Sequence, residues 1–257
     1  MSIITLTTDW GLKDYYVANV KGYIYSHLSD VTIVDITHLI KPLDISEAAF
    51  IFKNSYNSFP SGTVHILSVD DQWTEKTPHV LVKHQGHYFI GADNGIFSLA
   101  LEKEIPEKII ELDIQQDTDC WTFYARDIFA NVACKIINGE SIESMGSPKA
   151  SLNAMNFSEP SILNDYILGN IIYIDNYQNA ITNITEEYFK KHVGNKKFTI
   201  HIPPSDTVSK ISKTYNDAQE DIVLMFSSTG YLEIALNRSS ASSLLGLKLM
   251  TKIRIEF

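Results

Sequence analysis

Through the first half of the chain, short apolar runs rich in β-branched residues alternate with longer stretches whose apolar positions recur at helical spacing. "SIITLTTD" (2–9), "VTIVDIT" (31–37) and "GTVHILSVD" (62–70) read as strands. Between the first two, "YYVANVKGYIYSHL" puts Val17, Val20 and Ile24 on one helical face. "DISEAAFIFKNSYNSF" opens with Asp44 and Glu47 three apart, an N-cap signature. "PHVLVKHQGHYFIGAD" predicts two strands around a Gln-Gly turn, "KIIELD" another strand, and "ARDIFANVACKIINGE" a helix. This alternation predicts an α/β domain with a mostly parallel sheet over residues 1–150. In "GSPKASLNAMNFSEPS" the periodicity gives way to Gly, Pro, Ser and Asn, and 151–166 is expected to be a linker. Strand patterns then dominate 167–257, from "YILGNIIYID" to "KLMTKIRIEF". They predict a smaller all-β domain, a barrel.

Polar residues interrupt this pattern at suggestive places. Three strand-like runs end in carboxylates, at Asp9, Asp35 and Asp70, with Asp14 just downstream of the first. In an open α/β sheet, ligands bind beyond the carboxyl ends of the strands, so these acids could converge on a site. A lone Asp there more often caps a helix or turn. "IDNYQNAITNI" gathers Asp175, Asn176, Gln178, Asn179 and Asn183 around Tyr177. That set suits a polar planar ligand such as a nucleobase, or simply a polar hairpin. "SSTGYLEIAL" alternates with period two and predicts a hairpin strand on which Glu233 faces either a ligand or solvent. His84 and His87 flank the Gln-Gly turn and are expected to be exposed, and His38 to be structural. Within "TFYARDIFA", Arg126 and Asp127 are expected to be mainly structural, at a helix start.

Composition narrows the partners. The 257 residues carry a formal net charge of -10, which argues against nucleic acid or an anionic membrane as the main partner and is compatible with a small cationic substrate. The two cysteines, Cys120 and Cys134, lack metal-type spacing, so neither a disulfide framework nor a metal site is expected. With no signal-peptide pattern and no apolar run of about 18 residues, a cytoplasmic location is expected. Dinucleotide-binding, phosphate-loop, nucleophile-elbow and zinc-protease patterns do not occur.

Seven stretches occur together and in order: "TLTTDWGLKDYYVANVKGYI", "VTIVDITHLIKPLDISEAAF", "FPSGTVHILSVD", "DNGIFS", "TFYARDIFA", "IDNYQNAITNI" and "SSTGYLEIALN". As a set the chain resembles the S-adenosyl-L-methionine (SAM) hydroxide adenosyltransferases, or SAM hydrolases, relatives of fluorinase and chlorinase. The resemblance implies displacement at the ribose C5′ of SAM, with no metal or cofactor because the sulfonium is already a good leaving group. It implies a homotrimer whose sites lie between one subunit's N-terminal domain and a neighbour's C-terminal domain. Asp9 and Asp14 match the family's D-x-G-x-x-D element, with Asp14 as the carboxylate for the ribose diol. Asp70 matches the aspartate beside the reacting carbon and the water, and Phe123 and Tyr124 match pocket-wall positions. Asp175, Tyr177 and Asn179 match the element holding the methionine part and the adenine edge. Tyr215 matches an aromatic on adenine, and Ser228, Glu233 and the Leu236 backbone match C-terminal contacts.

Two departures stand out. The family's D-P-G-V-G-T-x-R loop reads "DDQWTEKT" here, so its Arg falls at Thr77 or Lys76, and T-F-H-G-R-D reads "TFYARD", with Tyr124 in place of the His. Asp70 and Tyr124 are thus the candidate catalytic pair. Water attack giving adenosine and L-methionine is the expected reaction. A catalytically weakened SAM- or adenosine-binding protein and a halide-using transferase stay open as alternatives.

Overall fold

The computed structural model describes residues 2–102, 104–114, 121–217 and 222–257, and Cys120 lies outside them. The chain divides into two compact units, Met1–Asn156 and Phe157–Phe257.

In the first unit, β1 (Ser2–Thr8), β2 (Val31–Thr37), β3 (Val64–Ser68), β4 (His79–His84), β5 (His87–Ala92), β6 (Lys108–Leu112) and β7 (Gly146–Pro148) form one sheet in the order β2-β1-β3-β5-β4-β6-β7. β1 pairs in parallel with β2 and β3, and β3 with β5. The other three pairings are antiparallel, so the sheet is mixed and the expectation of a mostly parallel one is corrected. The reason is local. Gln85 and Gly86 take φ of 46° and 77°, the left-handed pair of a tight hairpin turn, which sends β5 back along β4 with His84 opposite His87. Strand–helix alternation cannot report such a reversal.

Helices α1 (Tyr16–His27) and α4 (Asn131–Ile137) bring Val20, Ile24, Val132 and Ala133 to a core that includes Ile4, Leu6, Val64 and Ile66 of the central strands. Helix α2 (Ile45–Lys53) starts as its sequence predicts, the Asp44 carboxylate accepting the Glu47 N–H at 2.9 Å. A short helix α3 (Ile96–Leu101), not expected from the pattern, follows β5.

His84 and His87 are buried, at 4% and 5% exposure, which corrects the expectation of exposure. β5 lies inside the sheet, between β3 and β4, so its first residue is interior. His87 Nδ1 meets His65 Nε2 at 3.2 Å, Tyr56 packs edge-on against His87, and His84 Nε2 meets Glu104 at 2.7 Å.

The second unit holds β8 (Ser161–Leu163), β9 (Tyr166–Ile174), β10 (Ala180–Thr185), β11 (Thr199–Ile202), β12 (Asp206–Val208), β13 (Ile222–Phe226), β14 (Tyr231–Leu236) and β15 (Lys252–Glu256). All their pairings are antiparallel, in the order β12-β11-β15-β9-β10-β14-β13, with β8 beside β9. The Ser212 N–H donates to the Leu224 carbonyl at 2.7 Å, tying the chain after β12 to β13 at the far edge. The sheet is thereby a nearly closed barrel, filled by Ile167, Ile171, Ile200, Leu232, Ile234 and Ile255.

Candidate active site

Two of the first unit's candidate acids, Asp9 and Asp70, follow parallel β1 and β3 where these run out side by side, Thr8 opposite Ser68. Asp9 follows β1, and its Oδ2 accepts the Leu43 N–H at 2.9 Å. Gly11, at φ 71°, turns the chain there and donates its N–H to the His38 carbonyl at 2.7 Å. Asp14 is exposed just ahead of α1. Asp35 goes elsewhere: it lies within β2 and is paired with Lys21 at 2.6 Å and His38 Nε2 at 3.1 Å. Burial works to raise its carboxyl, but these two partners outweigh it and hold it below the usual range. His38 is buried and structural as expected, bonded through Nδ1 to Thr8 Oγ1 at 2.7 Å, with Trp10 stacked on its ring.

Beyond β3 two aspartates diverge. Asp70 adopts φ 46°, its side chain is exposed, and Asn94 Nδ2 donates to the carbonyls of Val69 and Asp70 at 2.9 Å each. Asp71, which the sequence reading passed over, turns inward. Its Oδ2 accepts a hydrogen bond from the Ser68 hydroxyl, and its backbone carbonyl meets His79 Nε2 at 2.9 Å. Burial raises the Asp71 carboxyl above the usual range, and the charges of Asp9 and Asp70 add to that against the Ser68 bond. The His79 ring packs edge-on against Tyr124 and Phe129, at 4.8 Å each, and burial lowers its pKa to about 4.

Phe123 and Tyr124 are half-buried at the mouth of a π-helix, Ala125–Ala130, that runs into α4. Wide turns of this kind recur at functional sites. Phe123 meets Trp10 and Tyr16 edge-on, at 5.8 and 5.3 Å. Arg126 and Asp127 form a two-pronged ion pair at 2.6 and 2.9 Å with Asp127 buried, the structural role expected of them.

The second unit supplies a cavity of about 670 Å³ lined by Tyr177, Asn179, Tyr215 and Leu236, together with Asn237, Arg238, Ser239 and Ser240. Asp175–Asn179 is both a hairpin turn between β9 and β10 and a wall of this cavity. Asp175 Oδ1 accepts the Asn179 N–H at 2.8 Å, and Oδ2 accepts its Nδ2 at 3.2 Å. Glu233 does not face solvent: it is 4% exposed, and its Oε1 accepts the Tyr215 hydroxyl at 2.8 Å. Burial raises the Glu233 carboxyl, the Tyr215 bond opposes that, and Asp175 adds to it. Tyr215 is pushed up to about 12 by burial and then by Glu233. Ser228 is exposed in the turn before β14, outside the cavity lining, while the neighbouring Ser227 is the serine that interacts with Glu233. Of the run Asn237–Ser240, only Asn237 falls within a family-like stretch, and Arg238–Ser240 carry no motif. The run's place directly after a strand that contributes Leu236 was the available signal.

With this geometry in view, the relatives are informative. The model of the SAM hydroxide adenosyltransferase N-terminal domain matches residues 4–146, and that of the C-terminal domain matches 169–254. The chain belongs to the SAM hydroxide adenosyltransferase family. It is 30% identical to the (R)-S-adenosyl-L-methionine hydrolase of Methanocaldococcus jannaschii, over 99% of this chain and 96% of that one. It is 27% identical to the hydrolase of the same name from Thermus thermophilus, over 99% and 100%. Its structure matches that of an uncharacterized conserved protein from Thermotoga maritima with a TM-score of 0.89 at 26% identity, covering both chains fully. Family membership therefore spans both units, the acid-lined strand ends of the first and the amide-lined cavity of the second.

Proposed function

We propose that this chain hydrolyses S-adenosyl-L-methionine to adenosine and L-methionine. The observation that carries this reading is full-length similarity to curated SAM hydrolases, across both units that hold candidate site residues. Water attacks the ribose C5′, the C5′–S bond breaks, and methionine leaves as a neutral thioether. Because the leaving group starts as a cation, positioning of the water contributes much of the rate.

In this reading Asp70 orients the water and Tyr124 lends it a hydroxyl partner. A phenol hydroxyl can hydrogen-bond the water but is a poor general base for it. Asp14 takes the ribose diol, with Asp9 beside it and Phe123 as pocket wall. Asp175, Tyr177, Asn179, Tyr215, Glu233 and the Leu236 backbone hold the adenine and methionine portions, and Ser228, exposed outside the cavity, would reach the ligand only at its edge. SAM is the substrate, and the reading requires no metal or other cofactor. Family likeness supports a homotrimer that completes each site with a neighbouring subunit, which light scattering of the purified protein tests. The net charge of -10 supports a small cationic substrate over nucleic acid or a membrane surface. Among the described residues no helix is long and apolar enough to cross a membrane, and the cytoplasm is the proposed location.

The experiment is chromatography of the protein incubated with SAM in halide-free buffer. Adenosine and methionine accumulating in equal amounts, beyond one equivalent of protein, is the expected result. Retention of SAM without turnover refutes hydrolysis and leaves a binding protein.

A further inference from the structure

The proposed reaction leaves one proton without a destination. Water becomes the 5′-hydroxyl of adenosine and must lose a proton as it does so, and Tyr124 is not a base for it. Asp70 lies on an exposed left-handed turn, and in the proposed reaction its carboxylate orients the water rather than taking its proton.

We infer that Asp71 is the proton acceptor of the hydrolysis, gripped by Ser68 and His79 beside Tyr124. The inference rests on the SAM hydrolase reading and deepens it. The grip has two parts. The Ser68 hydroxyl, on a buried side chain at the end of β3, donates to Asp71 Oδ2. His79 Nε2 meets the Asp71 carbonyl at 2.9 Å. A carbonyl only accepts, so Nε2 carries the proton and His79 is a neutral donor. The same ring packs on Tyr124, so one histidine ties the Asp71 backbone to the aromatic that stands where the family has its own histidine. The altered loop thus loses an arginine and gains an acid at the following position, turned into the strand ends.

The charged groups facing Asp71 are Asp9 from the end of β1 and Asp70 from its own loop. Both are acids, and both favour a proton on Asp71. A carboxylate in that setting is a better base than an exposed one, because its conjugate acid is stabilised. The step balances. The water oxygen bonds C5′ as the C5′–S bond breaks, the electron pair of that bond goes to sulfur, and the proton passes to Asp71 and then to solvent.

The test compares pH profiles of adenosine release for wild type, Asp71→Asn, Asp70→Asn and Ser68→Ala, all at saturating SAM. Wild type should lose activity in acid with a midpoint above the ordinary carboxylate range. Asp71→Asn should lower kcat by at least about 100-fold with KM within about threefold, and should lack the acid limb. Asp70→Asn should lose most of its turnover and keep a limb, moved to lower pH because one of the negative charges that favour a proton on Asp71 is gone. Ser68→Ala keeps the carboxylate and removes the bond that lowers its pKa, so its limb should move to higher pH. Asp71→Asn with near-wild-type kcat, or with the limb intact, overturns the inference while leaving the hydrolase reading in place. If Asp71→Asn does not fold, an unmoved limb in Ser68→Ala overturns it. A wild-type protein that releases no adenosine overturns both.

Discussion

Each candidate site holds a carboxylate that accepts a hydroxyl hydrogen bond, the half-buried Asp71 in the first unit and the buried Glu233 in the second, and the two are held in opposite ways. Asp71 sits near further acids, and its partner is the hydroxyl of Ser68, three residues back at the end of β3. Glu233 lies on a barrel strand and is covered from another segment by the Tyr215 hydroxyl, next to amides that line a cavity. Crowded negative charge stabilises a cation or a proton. A carboxylate capped by a neutral phenol beside amides provides oriented hydrogen bonding to a ligand. In the proposed reaction, the difference fits chemistry at the strand ends of the first unit and recognition in the cavity of the second.

Paired substitutions test that division most severely. Asp70→Asn should lower kcat for adenosine release by about 10³-fold, roughly 4 kcal/mol, with little change in KM. Tyr215→Phe, which leaves the buried Glu233 without its phenol, should raise KM by about tenfold and leave kcat within about twofold. If both variants moved kcat and KM together, the assignment of separate roles would fail.

Acid should separate the units with a smaller effect. Burial lowers His65 to about 3 and His79 to about 4, from an ordinary value of 6.5. Each is neutral in the folded unit and takes up a proton on unfolding. Their stabilisation is complete above pH 6.5 and falls as the pH drops towards those values, by about 2 kcal/mol each at about pH 5. Glu233 is raised, so its sign is reversed: it favours the folded state most in acid and loses that contribution as pH rises above 4.5. Asp71 and Asp93, also raised, offset part of the histidine effect in the first unit. Hydrogen exchange between about pH 7 and about pH 5 should therefore show protection falling in β3–β5 before β13–β14. Loss in the reverse order would refute this account.

The elements of this fold were legible where local chemistry decides them, in the Asp44 cap, the Gln85-Gly86 turn and the strand-ending Asp9. The β4–β5 reversal was legible in the turn, but the antiparallel pairings β4–β6 and β6–β7 were not, because pairing between distant strands is a long-range choice that periodicity does not record. Glu233 illustrates the same gap. Period-two alternation placed it on one face of β14, but only the tertiary fold shows that the Tyr215 segment covers that face. Asp71 escaped because two adjacent aspartates look alike in sequence. The left-handed backbone at Asp70 and the Ser68 hydroxyl separate them.

Tyr124→Phe should have the smallest effect and sharpens the comparison from within the first unit. The Tyr124 ring, rather than its hydroxyl, makes the contact with His79 at 4.8 Å. Phenylalanine keeps that packing and therefore keeps the His79 hold on Asp71. What it removes is one hydrogen-bond partner for the water, about 1 kcal/mol and about fivefold in kcat. Tyr124→Ala removes the ring as well and should cost clearly more, with the excess appearing as a shifted acid limb because His79 loses its wall. A phenylalanine variant as impaired as the alanine one would place the proton transfer on the hydroxyl itself and take it away from Asp71.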